Sequence, residues 1–201
     1  MGRLTTLGGS AVGAVDEAGP SASAPARRAA PSLRGVIRED WRNHGRSIVH
    51  PGLHALVAYR VGHWRLTAPR WLRLPVGVFY TFVDKVVIRG VYGVEIADEA
   101  VIGRRVRIGH HQSVQIPAFC VVGDDCLIRH NVTIGFASAE APRDAVPTIG
   151  ARVEIGPGSH LLGPIAIGDD VRIGPNSIVT VDVPAGATVF AAPARVMKRT
   201  R

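Results

Sequence analysis

Aliphatic residues return at every sixth position through the second half of the chain: Ile96, Ile102, Ile108, then Ile116, Val122, Ile128, Ile134, then Ile149, Ile155, Leu161, Ile167, Ile173 and Val179. Glycine follows most of them, at Gly103, Gly109, Gly123, Gly135, Gly150, Gly156, Gly168 and Gly174. A small or β-branched residue stands two places before, as at Val94, Ala100, Val106, Cys120, Cys126, Val153, Ser159 and Val171. A helix repeats at about 3.6 residues and a lone strand at two, so a period of six fits neither alone. It fits a solenoid of short strands with a corner in every hexad, the glycines supplying the positive φ of a tight corner. Three hexads per turn make a triangular prism, in which Ile155 stacks on Ile173 and Ile149 on Ile167.

The period breaks twice. Between Ile108 and Ile116 two residues are extra, and between Ile134 and Ile149 a loop from Phe136 to Pro147 intervenes, rich in alanine, proline and charge. That loop is expected to leave the prism and to be mobile. Breaks in a rigid frame are where binding and catalytic groups collect.

Ahead of the repeats, residues 33–93 carry helical periodicity. Leu33, Val36 and Ile37 begin an apolar stripe, Pro51 opens a second segment that runs to Pro69, and a more apolar helix is expected from Trp71 to Tyr92. The uncharged run of that third helix is too short to span a bilayer. Residues 1–32 are Ala, Gly, Ser and Pro with few large apolar side chains, which predicts a disordered extension without the apolar core of a secretory signal. The repeats occupy 94–190 and a short tail 191–201.

The composition narrows the classes of function. The formal charge of +8 attracts anions, including phosphorylated cofactors. Only 5% of residues are aromatic, too few for the stacking platforms of a nucleic-acid binder. Cys120 and Cys126 hold equivalent inward positions of successive hexads, which makes them small core residues. No disulfide framework is implied, in keeping with a reducing cytoplasm. The histidine and cysteine spacings match no zinc-ligand set.

The segment Pro51-Gly52-Leu53-His54-Ala55-Leu56-Val57-Ala58-Tyr59-Arg60-Val61-Gly62-His63-Trp64 resembles the helical signature of serine O-acetyltransferases, and Ala192-Pro193-Ala194-Arg195 is similar to that family's terminal element. The resemblance covers about residues 35–197. It implies a mainly β fold, a left-handed parallel β-helix of hexapeptide repeats preceded by a small α-helical domain. It also implies direct acetyl transfer from acetyl-CoA, a co-substrate rather than a tightly bound cofactor, to a small hydroxyl.

Imidazole is suited to accept a proton near neutral pH, and His110, His111, His130 and His160 fall in the repeats. The resemblance aligns His110 with the family's catalytic base, just before the two-residue insertion. It aligns Glu95 with the aspartate that orients that base. Gly109, His111 and His130 become candidates on the acceptor side. For the CoA arm and phosphates the candidates are Gly135, Pro157, Gly163, Pro175 and Arg195, with Lys198, Arg199 and Arg201 beyond; proline at a corner keeps its carbonyl but offers no N–H.

Two departures bear on the acceptor. Gly109 and approximately Ala145-Val146 stand where the family has the aspartate and the Arg-His that grip serine's charged groups. Asp40 of the helical domain is a compensating candidate; without compensation, a neutral hydroxyl is expected to outperform L-serine. Two other readings stay open, a hexapeptide acetyltransferase for a sugar or nucleotide-sugar and a catalytically silent trimeric scaffold. A homotrimer or dimer of trimers is expected, and the tail, ending Thr200-Arg201 instead of in isoleucine, predicts no sulfhydrylase partner.

Overall fold

A computed structural model describes residues 32–193. The extension expected over residues 1–32 therefore lies, but for Ser32, outside the described residues, as do Arg195, Lys198, Arg199 and Arg201.

Helix α1 (Leu33–Asn43) starts at Ser32, whose hydroxyl accepts the Gly35 N–H at 3.3 Å and so satisfies one of the orphan donors of the first turn. Helix α2 (Pro51–Thr67) opens on proline, whose fixed φ suits a first turn. The third apolar segment is α-helical only over α3 (Arg70–Phe82); Val83–Val91 then winds wider as a π-helix, and the Tyr92 N–H reaches back five residues to the Val87 carbonyl at 3.0 Å. In that stretch Asp84 and Ile88 turn inward, and Arg89 closes on Asp84 at 2.7 Å. Among the described residues no helix is long and apolar enough to cross a membrane.

The repeats fold into three parallel faces. One carries β1 (Val94–Ile96), β4 (Val114–Ile116), β7 (Thr133–Gly135), β10 (His160–Leu162) and β13 (Ile178–Val179). The second carries β2 (Val101–Ile102), β5 (Val121–Val122), β8 (Thr148–Ile149) and β11 (Ala166–Ile167). The third carries β3 (Arg107–Ile108), β6 (Leu127–Ile128), β9 (Glu154–Ile155), β12 (Arg172–Ile173) and β14 (Thr188–Val189). Ile149 pairs with Ile167 and Ile155 with Ile173, the stacking that the period predicts. A coil takes eighteen residues where the repeat is unbroken, as from Glu154 to Arg172. It takes twenty across the first break, from Arg107 to Leu127, and twenty-seven across the loop, from Leu127 to Glu154.

The glycines have a different reason from the one that the sequence suggested. None of those that follow the aliphatic positions has positive φ; at one edge that conformation falls two residues later, on Arg105, Asp125, Arg152 and Asp170. What most of these glycines provide is closeness between coils, Gly109 and Gly135 being the exceptions with ordinary space around a Cβ. A Cβ on Gly103 would lie 2.5 Å from the Gly123 backbone, and one on Gly123 2.5 Å from that of Gly150. The left-handed positions carry an alternating ladder instead, in which Arg105 pairs with Asp125 at 2.6 Å and Arg152 with Asp170 at 2.7 Å.

The first coil has nothing of its own kind beneath it, and the helices supply what a further coil would. The Tyr59 hydroxyl donates to the Ala100 carbonyl at 2.8 Å and accepts the Ile102 N–H at 3.1 Å. Arg60 donates to the carbonyls of Ile102 and Gly103, both at 2.6 Å, Asn43 donates to that of Arg105, and the His44 ring accepts the Ile108 N–H at 3.4 Å. An exposed strand edge is thereby closed. Ala55, Leu56, Tyr59 and Ile88 add their apolar surface to the prism core.

This cap fixes Asp40, the residue considered above as a compensating charge for the acceptor. Asp40 is fully buried and paired with Arg60 at 3.0 Å. Burial pushes its carboxyl above the ordinary range, against the pull of Arg60. It is a structural anchor with no access to a substrate.

Two outcomes follow from the cap. A Cβ on Gly52 would sit 2.3 Å from the Ile108 carbonyl oxygen, a backbone atom that cannot swing aside. Gly52→Ala is expected to cost about 1–3 kcal/mol or more in urea unfolding, the scale of overpacking. Burial, and next the charge of nearby Arg107 acting in the same direction, push the buried His44 ring below its ordinary 6.5, against the hydrogen bond to the Asp40 carbonyl. A histidine depressed in the folded state contributes stability above pH 6.5 that is lost as pH falls through its folded value. The urea midpoint should drop below that pH, and His44→Gln should remove part of the drop, leaving the part due to His111, which is depressed likewise.

Candidate functional site

The first break in the period is a corner, and the chain there can be followed bond by bond. The Gly109 N–H donates to the Ile128 carbonyl, which sets Gly109 beneath Arg129. The Asn131 N–H donates to the Gln112 carbonyl at 2.7 Å, just as Gly158 donates to His130 and Asn176 to Pro157 in the coils above. Gln112, His130, Pro157 and Pro175 therefore form one column, and Ser113, Asn131, Gly158 and Asn176, all of positive φ, form the next. What remains between Gly109 and Gln112 is His110 and His111. The two inserted residues are the two histidines.

Insertion changes what those residues can do. His110 takes up a left-handed conformation at φ 58°, out of step with the other corners. Its ring stands exposed, edge-on to His130 with centroids 5.7 Å apart. His111 turns the other way and meets Tyr92 edge-on at 5.4 Å, and Tyr92 in turn stacks on His54. Burial, together with the charge of His110, holds the His111 ring below its ordinary value. The backbone N–H groups of His111 and Gln112 donate to no backbone carbonyl among the described residues. His110 is the wall between two hollows. One, of about 360 Å³, is shared with His111, Gln112 and His130; the other, of about 160 Å³, lies against Arg107, Gly109 and Arg129.

Glu95 does not join this corner. It projects from β1 into a larger cavity of about 760 Å³, walled by Gln115, Thr133, Gly135, Phe136, Arg143 and Leu162 among others. Its carboxylate is held by Arg89 at 2.5 Å, the same arginine that closes on Asp84. Neither the Glu95–His110 pair implied by the resemblance nor an ion pair of Glu95 with Arg104 or Arg107 is formed among the described residues. The cause is the π-helical turn, whose last basic residue lies within reach of β1. Arg89 is a partner that no spacing in the sequence announces.

The candidates for the CoA arm divide between two places. Gly135 lines the larger cavity, and Gly163, at φ 90°, donates its N–H to the Gly135 carbonyl at 2.9 Å. Pro157 and Pro175 stand in the column above His130, where the Pro157 carbonyl already accepts from Asn176. Its ring surface and the second lone pair of that carbonyl are left for a ligand. Arg195 lies outside the described residues. At the loop's end Val146 is buried in the prism core and lines no hollow beside His110. His160 stands on β10, beside Thr133 and Ile178. Burial pushes the thiol of Cys120 up to about 12 and that of Cys126 up to about 11, as expected of inert core residues. Among the described residues no three His, Cys, Asp or Glu side chains gather as a metal-ligand set.

Comparison with known proteins adds to this geometry. Residues 147–180 match the family model of the bacterial transferase hexapeptide (six repeats). The chain is 36% identical over 173 residues to a serine acetyltransferase of Helicobacter pylori, covering 85% of this chain and 96% of that one. The fold is that of soybean serine acetyltransferase, with a TM-score of 0.69 at 30% identity over 84% of this chain and 70% of the other. It is similarly that of the Brucella abortus serine acetyltransferase solved with coenzyme A, with a TM-score of 0.66 at 25% identity over 84% of this chain and 68% of the other. The architecture is the left-handed parallel β-helix with a helical N-terminal region.

Proposed function

Because this chain belongs to the serine acetyltransferase family, we propose that it is an acetyl-CoA-dependent serine O-acetyltransferase with His110 as the general base. The observation that carries this reading is the corner at which both inserted residues are histidines, one of them exposed between two hollows. A regular corner, such as the one at His130, has no lengthened turn to hold a second side chain beside the first.

The chemistry requires no covalent intermediate on the enzyme. The His110 ring takes the proton from the acceptor hydroxyl as its oxygen attacks the thioester carbonyl of acetyl-CoA. The tetrahedral oxyanion needs preorganised donors, and the unpaired N–H groups of His111 and Gln112 are the nearest in sequence to the base. Collapse expels the CoA thiolate, which takes the proton back from the imidazolium, and the products are the O-acetyl ester and CoA. The larger cavity, with Phe136, Ile116 and Leu162 on its wall, suits an apolar pantetheine arm, and Arg143 suits a phosphate. Gly135 and Gly163 shape that cavity.

Glu95 belongs to the wall of the larger cavity through Arg89, and His130 is the ring that flanks the base. The working assembly is a homotrimer or a dimer of trimers, because neighbouring prisms would complete cavities that are open in one chain. The compartment is the cytoplasm, in keeping with two free thiols.

Thiol release from acetyl-CoA with L-serine tests the reading. His110→Ala is expected to lower kcat by roughly 10²–10⁴-fold, the scale of general-base catalysis. His111→Ala should cost far less, since that ring is packed against Tyr92. Glu95→Gln should change kcat by less than roughly tenfold, well short of the loss of the base. A silent scaffold would release no thiol with any acceptor, and equilibrium sedimentation at the mass of one chain would remove the trimer.

A further inference from the structure

The smaller hollow beside His110 is basic and contains no acid. Its wall includes Arg107, Arg129, His50, His44, Gly109 and His110. We propose that Arg107 and Arg129 form an anion subsite that holds a carboxylate on the acyl acceptor, so that a hydroxy acid without an ammonium group is as good an acceptor as a hydroxy amino acid. This rests on the reading of His110 as the base and assigns the substrate class to that same site.

The placement follows from the strand register. Arg107 is on β3, two residues before Gly109, and Arg129 stands over Gly109 one coil up. The Arg129 Cδ passes 3.9 Å from where a Cβ on Gly109 would be, an ordinary contact. Two guanidinium groups thus border one hollow, next to the ring that would receive the hydroxyl proton. A guanidinium presents a planar fork that matches a carboxylate.

Charge accounting decides what the hollow can take. Arg107 has no ion pair among the described residues. Arg129 meets Glu154 at 3.3 Å, with both side chains more than a third exposed, a contact weak enough to yield to a ligand. The acids of the adjoining helix α1 are committed elsewhere, Glu39 to Arg104 and Asp40 to Arg60. A carboxylate entering the hollow meets two cations, whereas an ammonium meets no partner. This turns the expectation of a neutral acceptor, drawn from Gly109, Ala145 and Val146, towards an anionic one. The volume of about 160 Å³ is of the size of a carboxylate on a few carbons.

The test uses the full-length protein, acetyl-CoA and three small acceptors: L-serine, glycerate, which lacks the ammonium, and ethanolamine, which lacks the carboxylate. Glycerate should match L-serine, and ethanolamine should fall by roughly 10–100-fold in kcat/KM, the scale of a charged hydrogen-bonded contact. Arg107→Ala should raise the KM of both carboxylates by a similar factor and leave kcat and the KM of acetyl-CoA unchanged, with Arg107→Lys recovering part. Gly109→Asp is a second variant that space allows, since its Cβ would meet Leu127 at an ordinary 3.6 Å. It should weaken glycerate far more than L-serine, because the new carboxylate repels one and gives the other's ammonium a partner.

Ethanolamine used as well as L-serine overturns the subsite while leaving the acetyltransferase reading intact. A rise in the KM of acetyl-CoA in Arg107→Ala also overturns it, by giving the arginine to a CoA phosphate. If no acceptor releases thiol, the functional reading falls, and calorimetry of glycerate binding then judges the subsite. Binding that is lost in Arg107→Ala upholds it, and no binding to the unaltered protein overturns it.

Discussion

A stack of coils has an unsatisfied end, and the rest of this molecule depends on how that end is closed. The carbonyls of Ala100, Ile102, Gly103 and Arg105 and the N–H groups of Ile102 and Ile108 all point away from the second coil. Left buried without partners, each would cost the free energy of a lost hydrogen bond. Tyr59, Arg60, Asn43 and His44 answer them, and Arg60 can do so only because Asp40 offsets its charge inside the protein. The segment from Pro51 to Trp64 is therefore an edge cap written in helical spacing. The His44 contact falls on Ile108, two residues before His110, so the cap and the candidate base share one stretch of backbone.

The prism was legible because its cause is local and repeated. One aliphatic residue per hexad can be buried only by another hexad above or below it, and the period passes directly into the pairs Ile149–Ile167 and Ile155–Ile173. The glycines show where such reading stops. Their positions were visible, but positive φ and close approach between coils leave the same mark on a sequence. Only the coil above Gly103 or Gly123 tells the two apart. The third helix was less legible still, because an apolar stripe from Trp71 to Tyr92 does not reveal that the winding widens after Phe82.

At the candidate site the histidines were readable and their partners were not. A step of eight in place of six marks an insertion, but only the ladder bonds at Gly109 and Gln112 identify His110 and His111 as the inserted residues. Glu95 was placed beside His110 by resemblance, and Arg89, brought in by the π-helical turn, holds it at the other cavity. Asp40 looked like a free charge on a helix and is the most committed carboxylate of the cap. In each case an ion-pair partner six or more residues away decides the role, and periodicity carries no information about such partners.

The regularity that makes the fold stable also limits where chemistry can sit. At each ordinary corner a carbonyl is held in the ladder by the coil above: Gly158 donates to His130, Asn176 to Pro157, Arg152 to Asp124. The inward side chains are buried, and most of the glycines leave no space between coils. A reacting group needs a side chain that projects clear of the ladder and room beside it for the reacting atoms, which an unbroken coil with six residues per face does not leave together. Two extra residues at one corner supply both at once, because they lengthen the turn without disturbing the strands on either side; Ile108 still pairs with Ile128 and Val114 with Val94. The insertion thus leaves the core pattern intact while freeing His110 from it. Arg129, one coil up, lines the same corner, so that base and cation share a hollow that neither the core nor the ladder needs.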